Sequence, residues 1–200
     1  NFFQVIHYTD RLNYLYFDIF KYMKLLTIKL TKEQTLRVGA LKNENVVDLS
    51  EASLPSDMVE FINLGDIGIE KATDYLESNI TGISPEDIII KAPIKTPKKI
   101  LAVGLNYKKH VEEAKDLKDH HSNKVELQEQ FPNIFNKQNS AVNDPYGEVH
   151  RPNASDWLDY EGELGMIIGK TCRHVPYDQA HKAVSVSYTH LRAHETFRSL

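Results

Sequence analysis

The sequence predicts an α+β protein, mostly β, that is divided into two domains. Three short β-prone runs, KLLTIKL, LRVGAL and NVVDLS, follow Met23 and are separated by polar breaks, which is typical of a small antiparallel sheet. Residues 94–99, IKTPKK, combine proline with lysine and predict a linker without regular structure. We therefore expect a small N-terminal β-rich domain over residues 23–92 and the N-terminal part of a second domain over residues 93–185.

The composition is that of a globular chain and argues against several classes of partner. The chain has 24 basic and 28 acidic residues, a formal net charge of −4, and no long basic block, which argues against nucleic acid. No apolar run approaches the ~20 residues of a membrane-spanning helix. The single cysteine, Cys172, cannot form an internal disulfide, which favours a reducing compartment, and we expect a cytoplasmic protein.

Both ends of the chain differ in character from the residues between them. Residues 1–22 are rich in aromatic side chains and lack periodicity and helix caps, so we interpret them as translated upstream DNA without ordered structure. Residues 186–200, VSYTHLRAHETFRSL, match one translated reading frame of a transposon-based sequencing adapter, and we interpret them as an artefactual tail. The histidine spacing in HLRAHE lacks the HExxH order of a zinc-protease helix.

Between the first three strands and the linker, the sequence predicts two helices and a further strand. Pro55, Ser56 and Asp57 open a helix that ends near Gly65, and an amphipathic helix follows over residues 69–78. The run DIII then predicts a strand. We interpret this N-terminal module as a folding or docking unit without chemistry of its own.

The second domain begins with ILAVGLNY, which predicts a buried strand over residues 100–103 followed by a turn and a helix. On that helix His110 and Glu113 lie three residues apart and share a face, where a carboxylate can orient an imidazole for proton transfer. KKHVEEAK is also typical of a solvent-exposed helix face, with Lys109 and Glu113 spaced for an ion pair. Both interpretations stay open.

Residues 115–130 are highly charged and predict a loop or lid, after which FPNIFNKQNSAV returns to strand character. Within this strand Lys137 is either a point charge that holds a substrate carboxylate or an ordinary surface lysine. Farther along, Arg151 either pairs an anion or pairs only Asp156. We name Lys137 and Arg151 as candidate substrate-binding residues.

The stretch DYEGELGMIIGK places two glutamates at the head of an apolar run. Side chains alternate along a strand, so Glu161 and Glu163 would point the same way, with Cα atoms ~6.6 Å apart, and Asp159 would extend the row. Paired carboxylates are costly unless a cation lies between them, and Mg²⁺ prefers carboxylate oxygens. The alternative is the solvent-exposed face of an amphipathic strand.

Three motifs, GLNYKKHVEEA, FPNIFNKQNSAV and SDWLDYEGELGMIIGKTCRHV, together resemble the fumarylacetoacetate hydrolase family, over residues 23–185. The resemblance implies that residues 93–185 are part of a catalytic domain with a β-sandwich roll. It also implies that the small module in front is the N-terminal domain found in many bacterial members, and that the full-length protein is a homodimer.

The resemblance also implies the site residues. Glu161 and Glu163 match the two glutamates that bind Mg²⁺ or Mn²⁺, His110 and Glu113 match the catalytic pair, and Lys137 matches the basic residue of the middle motif. In the family a third carboxylate ligand lies in a GYxxxND segment, which does not follow residue 184 here.

The implied activity is divalent-metal-dependent hydrolysis, decarboxylation or tautomerisation of 2-oxo acids or acylpyruvate-like diacids. Two alternatives stay open. The chain is a non-catalytic binding or assembly domain whose glutamates are solvated, or it is an inactive truncated fragment of such an enzyme with unpaired strand edges.

Overall fold

The computed structural model describes residues 3–5, 23–78, 81–104, 132–156 and 158–194, and for residues 3–5, 159–162 and 186–194 it describes the backbone alone. The chain forms two compact units, Asn1–Ile94 with Asp144–Leu200, and Lys95–Asn143. The first unit includes residues after 143 as well as the N-terminal module, so it is discontinuous in sequence.

The described residues form strands, two α-helices and short 3-10 turns. The strands are β1 (Phe3–Val5), β2 (Leu25–Leu30), β3 (Leu36–Lys42), β4 (Asn45–Asp48), β5 (Ile88–Lys91), β6 (Ile100–Gly104), β7 (Asn133–Lys137), β8 (Asp159–Ile168) and β9 (Val184–His194). The α-helices are α1 (Met58–Asn63) and α2 (Asp66–Glu77), and the 3-10 turns are Leu49–Ala52, Pro85–Asp87, Asn139–Ala141 and Tyr177–Ala183.

A four-stranded antiparallel sheet with the order β4-β3-β2-β5 is the centre of the first unit and confirms the strands predicted for the N-terminal module. The hairpin between β3 and β4 turns over two residues, Asn43 and Glu44, which both have positive φ. This is the backbone pattern that matches strand twist in a two-residue hairpin, and asparagine adopts it readily.

Both faces of this sheet are covered. Leu25 packs in a cluster that includes Val38 and Phe61, whereas Leu26 packs on the opposite face with a cluster that includes Ile28. Neighbouring residues thus serve different faces, as the two-residue period of a strand requires. Burial of these side chains provides the main stabilisation of the module.

Helices α1 and α2 cover the Leu25 face. Asp57 caps α1 by accepting hydrogen bonds from the backbone N–H groups of Val59 (2.9 Å) and Glu60 (3.0 Å). Gly65, at φ 56°, joins the two helices in a conformation that glycine adopts without strain. The helix start at Asp57 and its end near Gly65 were predicted, but α2 begins three residues before the predicted position.

Within the described residues no helix combines the length and apolar character needed to cross a membrane.

A second sheet of the first unit has the order β1-β9-β8. β8 and β9 are antiparallel, with Asp159 opposite His194 and Ile167 opposite Val186, and β1 pairs parallel to β9. In contrast to the expected disorder of residues 1–22, Phe3–Val5 form a strand, because pairing with β9 satisfies their backbone hydrogen-bonding groups. The predicted origin of both chain ends stays a prediction.

The second unit contains a two-stranded antiparallel sheet of β6 and β7, in which Ile100 lies opposite Lys137 and Gly104 opposite Asn133. The strand predicted at residues 100–103 is confirmed, but its predicted burial is wrong: Leu101 is 61% exposed and Val103 36% exposed. A sheet of two short strands is too narrow to bury both of its faces. The predicted helix and lid between the strands lie outside the described residues.

Candidate functional site

β8 carries both predicted metal ligands, and its burial pattern distinguishes its two faces. Leu164, Met166 and Ile168 are 62%, 60% and 59% exposed, whereas the alternate residues Glu163 and Ile167 are half-buried. Ile167 packs against the core cluster beneath α1 and α2. Glu163 therefore lies on the covered face of the strand, with the apolar residues on the exposed face.

This arrangement is the reverse of an ordinary amphipathic strand and argues against a freely solvated glutamate at position 163. Residues 163 and 167 lie on the same face of the strand, and Leu164 lies on the other. If Glu163 were on the solvent face, Ile167 would therefore be more exposed than Leu164. The observed order is the opposite. A carboxylate on the covered side of a strand needs hydrogen-bonding or cationic partners to offset its loss of hydration.

The chemistry of the two glutamates fits a hard divalent cation, since carboxylate oxygens are the ligands that Mg²⁺ and Mn²⁺ prefer. Glu161 lies in β8 two residues before Glu163, as predicted, but its side chain is outside the described set. Among side chains that are described, no three histidine, cysteine, aspartate or glutamate residues come together as a metal-binding group. β8 therefore supplies two candidate ligand positions, 161 and 163, at alternate residues of one strand.

The pairing of β8 with β9 reveals a pattern that the sequence interpretation missed. Glu163 lies opposite His190, and Glu161 lies opposite Arg192. The backbone register thus places two acidic positions of one strand opposite an imidazole and a basic position of the other. The sequence shows the shared two-residue period of DYEGE and HLRAH, but it does not show the register in which the two strands pair.

The end of β8 is fixed to the rest of the first unit by a close approach. The N–H of Gly169 donates to the carbonyl of Ala183 at 3.0 Å. A Cβ atom at Gly169 would lie 2.3 Å from Cβ of Ser185 and 3.2 Å from Cγ2 of Ile62 in α1. The absence of a side chain at Gly169 therefore allows β8 to meet the start of β9 beside α1.

Asp144 is a second positioning residue that the sequence interpretation overlooked. Its Oδ1 atom accepts a hydrogen bond of 3.0 Å from the N–H of Ala92, and its Oδ2 atom accepts from Lys91 Nζ. These bonds join the DPYG turn to the end of β5 and so fix the start of the segment that leads into β8.

Arg151 is engaged within its own loop. Its Nη1 atom donates to the carbonyl oxygen of Ser155 (2.8 Å) and to Oδ1 of Asp156 (2.9 Å). The pairing with Asp156 is one of the two predicted interpretations. Both side chains are well exposed, so the ion pair contributes at most about 1 kcal/mol to stability. A role for Arg151 in substrate binding stays a prediction.

Lys137 is the last residue of β7, in the second unit, and is half-buried. Its Nζ atom lies 5.6 Å from the ring centroid of Phe135, two residues earlier on the same face, within the range of a cation–π contact. Lys137 also lines an open groove together with Lys98 and Lys99. The predicted catalytic pair, His110 and Glu113, lies outside the described residues, and their roles stay predictions.

Comparisons with known proteins identify relatives of this chain. Residues 99–190 match the family profile described as fumarylacetoacetate (FAA) hydrolase C-terminal. A fumarylacetoacetate hydrolase domain-containing protein 2 homolog of Dictyostelium discoideum is 36% identical over 166 residues, which cover 80% of this chain and 51% of the relative. A mitochondrial oxaloacetate tautomerase of Xenopus laevis is 31% identical over 171 residues, which cover 84% of this chain and 50% of the relative. The chain thus spans about half the length of these relatives.

Comparison with solved structures identifies the fold. A maleylpyruvate hydrolase from Sphingobium sp. SYK-6, in complex with manganese(II) ion and pyruvate, superposes with a TM-score of 0.66 at 21% sequence identity, over 87% of this chain and 60% of that one. The α+β, mostly β class predicted from the sequence agrees with this fold. The chain therefore belongs, through residues 99–190, to the fumarylacetoacetate hydrolase family.

Proposed function

We propose that this chain carries part of the catalytic centre of a divalent-metal-dependent hydrolase or isomerase that acts on 2-oxo acids or acylpyruvate-like diacids. The observation that carries the proposal is the position of Glu163 on the covered face of β8, two residues from Glu161. The names of the relatives, an oxaloacetate tautomerase and a maleylpyruvate hydrolase, support a small oxo-acid substrate.

In the proposed centre each residue has a separate task. Glu161 and Glu163 hold the cation, Mg²⁺ or Mn²⁺, by their carboxylate oxygens. A bound divalent cation supplies Lewis-acid polarisation of substrate oxygen atoms. His110, oriented by Glu113, takes up or returns the proton that moves during hydrolysis or tautomerisation. Lys137 holds a substrate carboxylate as a point charge, and Arg151 is the second candidate for this task.

The sharpest test compares two glutamine variants of the full chain. Glu163→Gln keeps the side-chain volume but removes the charged ligand, so Mn²⁺ affinity measured by calorimetry and by electron paramagnetic resonance should fall at least about tenfold. Glu86→Gln is the matched control, because Glu86 is an exposed glutamate of the same unit, far from β8 in sequence. It should bind Mn²⁺ like the wild type. Equal affinities of Glu163→Gln and the wild type would remove Glu163 from the metal site.

Activity measurements on the same proteins separate an enzyme from its alternatives. The wild-type chain should accelerate tautomerisation of oxaloacetate or hydrolysis of an acylpyruvate in the presence of Mg²⁺ or Mn²⁺, and chelation should abolish the reaction. Metal binding without turnover would favour an inactive fragment. The absence of both metal binding and turnover would favour the non-catalytic domain.

We also propose that the protein self-associates as a homodimer. The exposed apolar residues Leu164, Met166 and Ile168 lie on β8, which is an edge strand of the described β1-β9-β8 sheet, and an exposed apolar edge strand favours association. Size-exclusion chromatography with light scattering should give the mass of a dimer, and Met166→Lys should shift it towards the monomer. A monomeric wild type would contradict the proposal.

A cytoplasmic location is supported by the single cysteine and is tested by cell fractionation.

A further inference from the structure

We propose that the second unit binds a small multivalent oxyanion in a groove formed by Lys98, Lys99 and Lys137. The groove lies at one end of the β6–β7 sheet. Ile100 is paired with Lys137, so the residues just before β6 lie beside the residues just after β7. The pairing therefore brings two lysines of the linker, Lys98 and Lys99, to the same place as Lys137.

The charge of the groove has one sign. Among the residues that the structure describes, its ionisable lining residues are the three lysines, and no aspartate or glutamate lines it. In the described part of the chain, Lys98 and Lys99 make no ion pair or hydrogen bond, whereas Lys137 contacts the Phe135 ring and takes part in a further interaction. Three positive charges gathered in a protein of formal net charge −4 create a local field that attracts anions.

The other lining residues supply hydrogen-bond donors. Gln138 and Asn139 carry side-chain amides, and Ser140 carries a hydroxyl group, all suited to carboxylate or phosphate oxygens. These residues belong to a short turn that is fixed by backbone bonds, from Ala141 N–H to the Gln138 carbonyl (2.9 Å) and from Val142 N–H to the Asn139 carbonyl (3.2 Å). The donors are therefore held on an ordered piece of backbone.

The size of the groove favours a small ligand. Its volume of about 610 Å³ is in the range of sites for metabolite-sized molecules, and Leu101 offers an apolar surface beside the lysines. A dicarboxylate with a short hydrocarbon chain or a phosphate-bearing anion has the required chemistry. The inference goes beyond the proposed metal-dependent reaction, with which it shares only Lys137, and needs no bound cation.

The experiment is a titration of the full chain with succinate, inorganic phosphate and acetate at constant ionic strength, measured by calorimetry or by NMR shifts, after divalent cations have been removed on a chelating resin. The dianions should bind saturably and more tightly than acetate. Lys98→Gln and Lys99→Gln should each weaken dianion binding by roughly fivefold to tenfold, because each removes a charge close to the ligand. Lys99→Arg should retain most of the affinity.

Lys95→Gln is the matched control. Lys95 is an exposed lysine of the same linker and the same unit but does not line the groove, so its substitution should weaken binding less than about twofold. Unchanged thermal unfolding of all variants establishes that they fold. Tighter binding of succinate than of phosphate assigns the groove to carboxylates, and the reverse order assigns it to phosphates; both support the site.

Two results would overturn the inference. The first is a linear response without saturation, which would mean that the lysines attract anions only as a diffuse surface charge. The second is an equal loss of affinity in Lys95→Gln and Lys99→Gln, which would mean that the groove contributes nothing beyond net charge. Because divalent cations are removed before the titration, a failure of the proposed metal centre leaves its result unchanged.

Discussion

Replacing Arg37 with methionine should be among the most destabilising substitutions in the N-terminal module. Arg37 Nη1 lies 2.5 Å from Oδ2 of Asp48, whose side chain is only 1% exposed, while Arg37 itself is 25% exposed. Asp48 also accepts hydrogen bonds from Ser50, at 2.9 Å from its N–H and 2.7 Å from its hydroxyl group. Without Arg37, the buried carboxylate would keep these two bonds but lose its counter-charge.

The expected loss follows from this geometry. Removing one partner of a buried ion pair costs about 3–5 kcal/mol, and because water reaches one side of Arg37 we expect the lower end, about 3 kcal/mol. Hydrogen bonds to Asp48 and to Glu33 raise the pKa of Arg37, so the arginine stays charged below that pKa and its contribution is lost only in strong alkali. The loss should therefore be nearly constant around neutral pH.

Urea unfolding at neutral pH, followed by circular dichroism, measures this loss. Glu33→Gln is the control, because Glu33 makes an exposed ion pair with the same guanidinium group at 2.5 Å and its removal should cost less than about 1 kcal/mol. The double variant Arg37→Met/Asp48→Asn should recover part of the loss, since the buried charge is gone. Equal effects of Arg37→Met and Glu33→Gln would refute the assignment of a buried, compensated carboxylate.

Three further substitutions test other parts of the first unit. Asp57→Ala removes the N-cap of α1 and should cost about 1 kcal/mol in urea unfolding; an unchanged midpoint would contradict the cap. Gly169→Ala should cost about 1–3 kcal/mol by overpacking against Ser185, and the double variant with Ser185→Gly should restore most of the loss if the two residues meet as described. Burial, followed by the hydrogen bond to Glu51, raises the pKa of Tyr75. The contribution of Tyr75 to folding stability is therefore complete below the ordinary tyrosine pKa and is lost as pH rises through the higher folded-state pKa. Stability measured across alkaline pH should therefore fall more steeply in the wild type than in Tyr75→Phe, and parallel curves would show that the tyrosine hydroxyl is not involved.

The elements of the N-terminal module could be predicted because their signals are local. Alternating apolar residues predicted β2, β3 and β4, and Asp57 marked the start of α1 by its capping carboxylate. The start of α2 was misplaced because Gly65 caps it without a side-chain hydrogen bond, so no residue type marks that boundary. The burial of β6 was misjudged because an apolar run does not reveal how many strands lie beside it.

Pairings between distant segments could not be predicted in this way. The joining of Asp144 to Ala92, of Gly169 to Ser185 and of the linker lysines to the end of β7 depends on strand register and chain path, which no local pattern encodes. The candidate anion groove escaped the sequence interpretation for this reason. Its lysines are separated by almost forty positions and meet only through the pairing of β6 with β7.

The sequence by itself determined that Glu161 and Glu163 lie two residues apart on one strand, and its motifs indicated the fumarylacetoacetate hydrolase family. It left open whether this row faces water or the interior, because the alternation of a strand defines two faces without saying which one is covered. The tertiary structure decided this point for Glu163. Ile167 packs against a core built from residues 23–72, far away in the chain, and this contact turns the Glu163 face inward and leaves Leu164 and Met166 exposed.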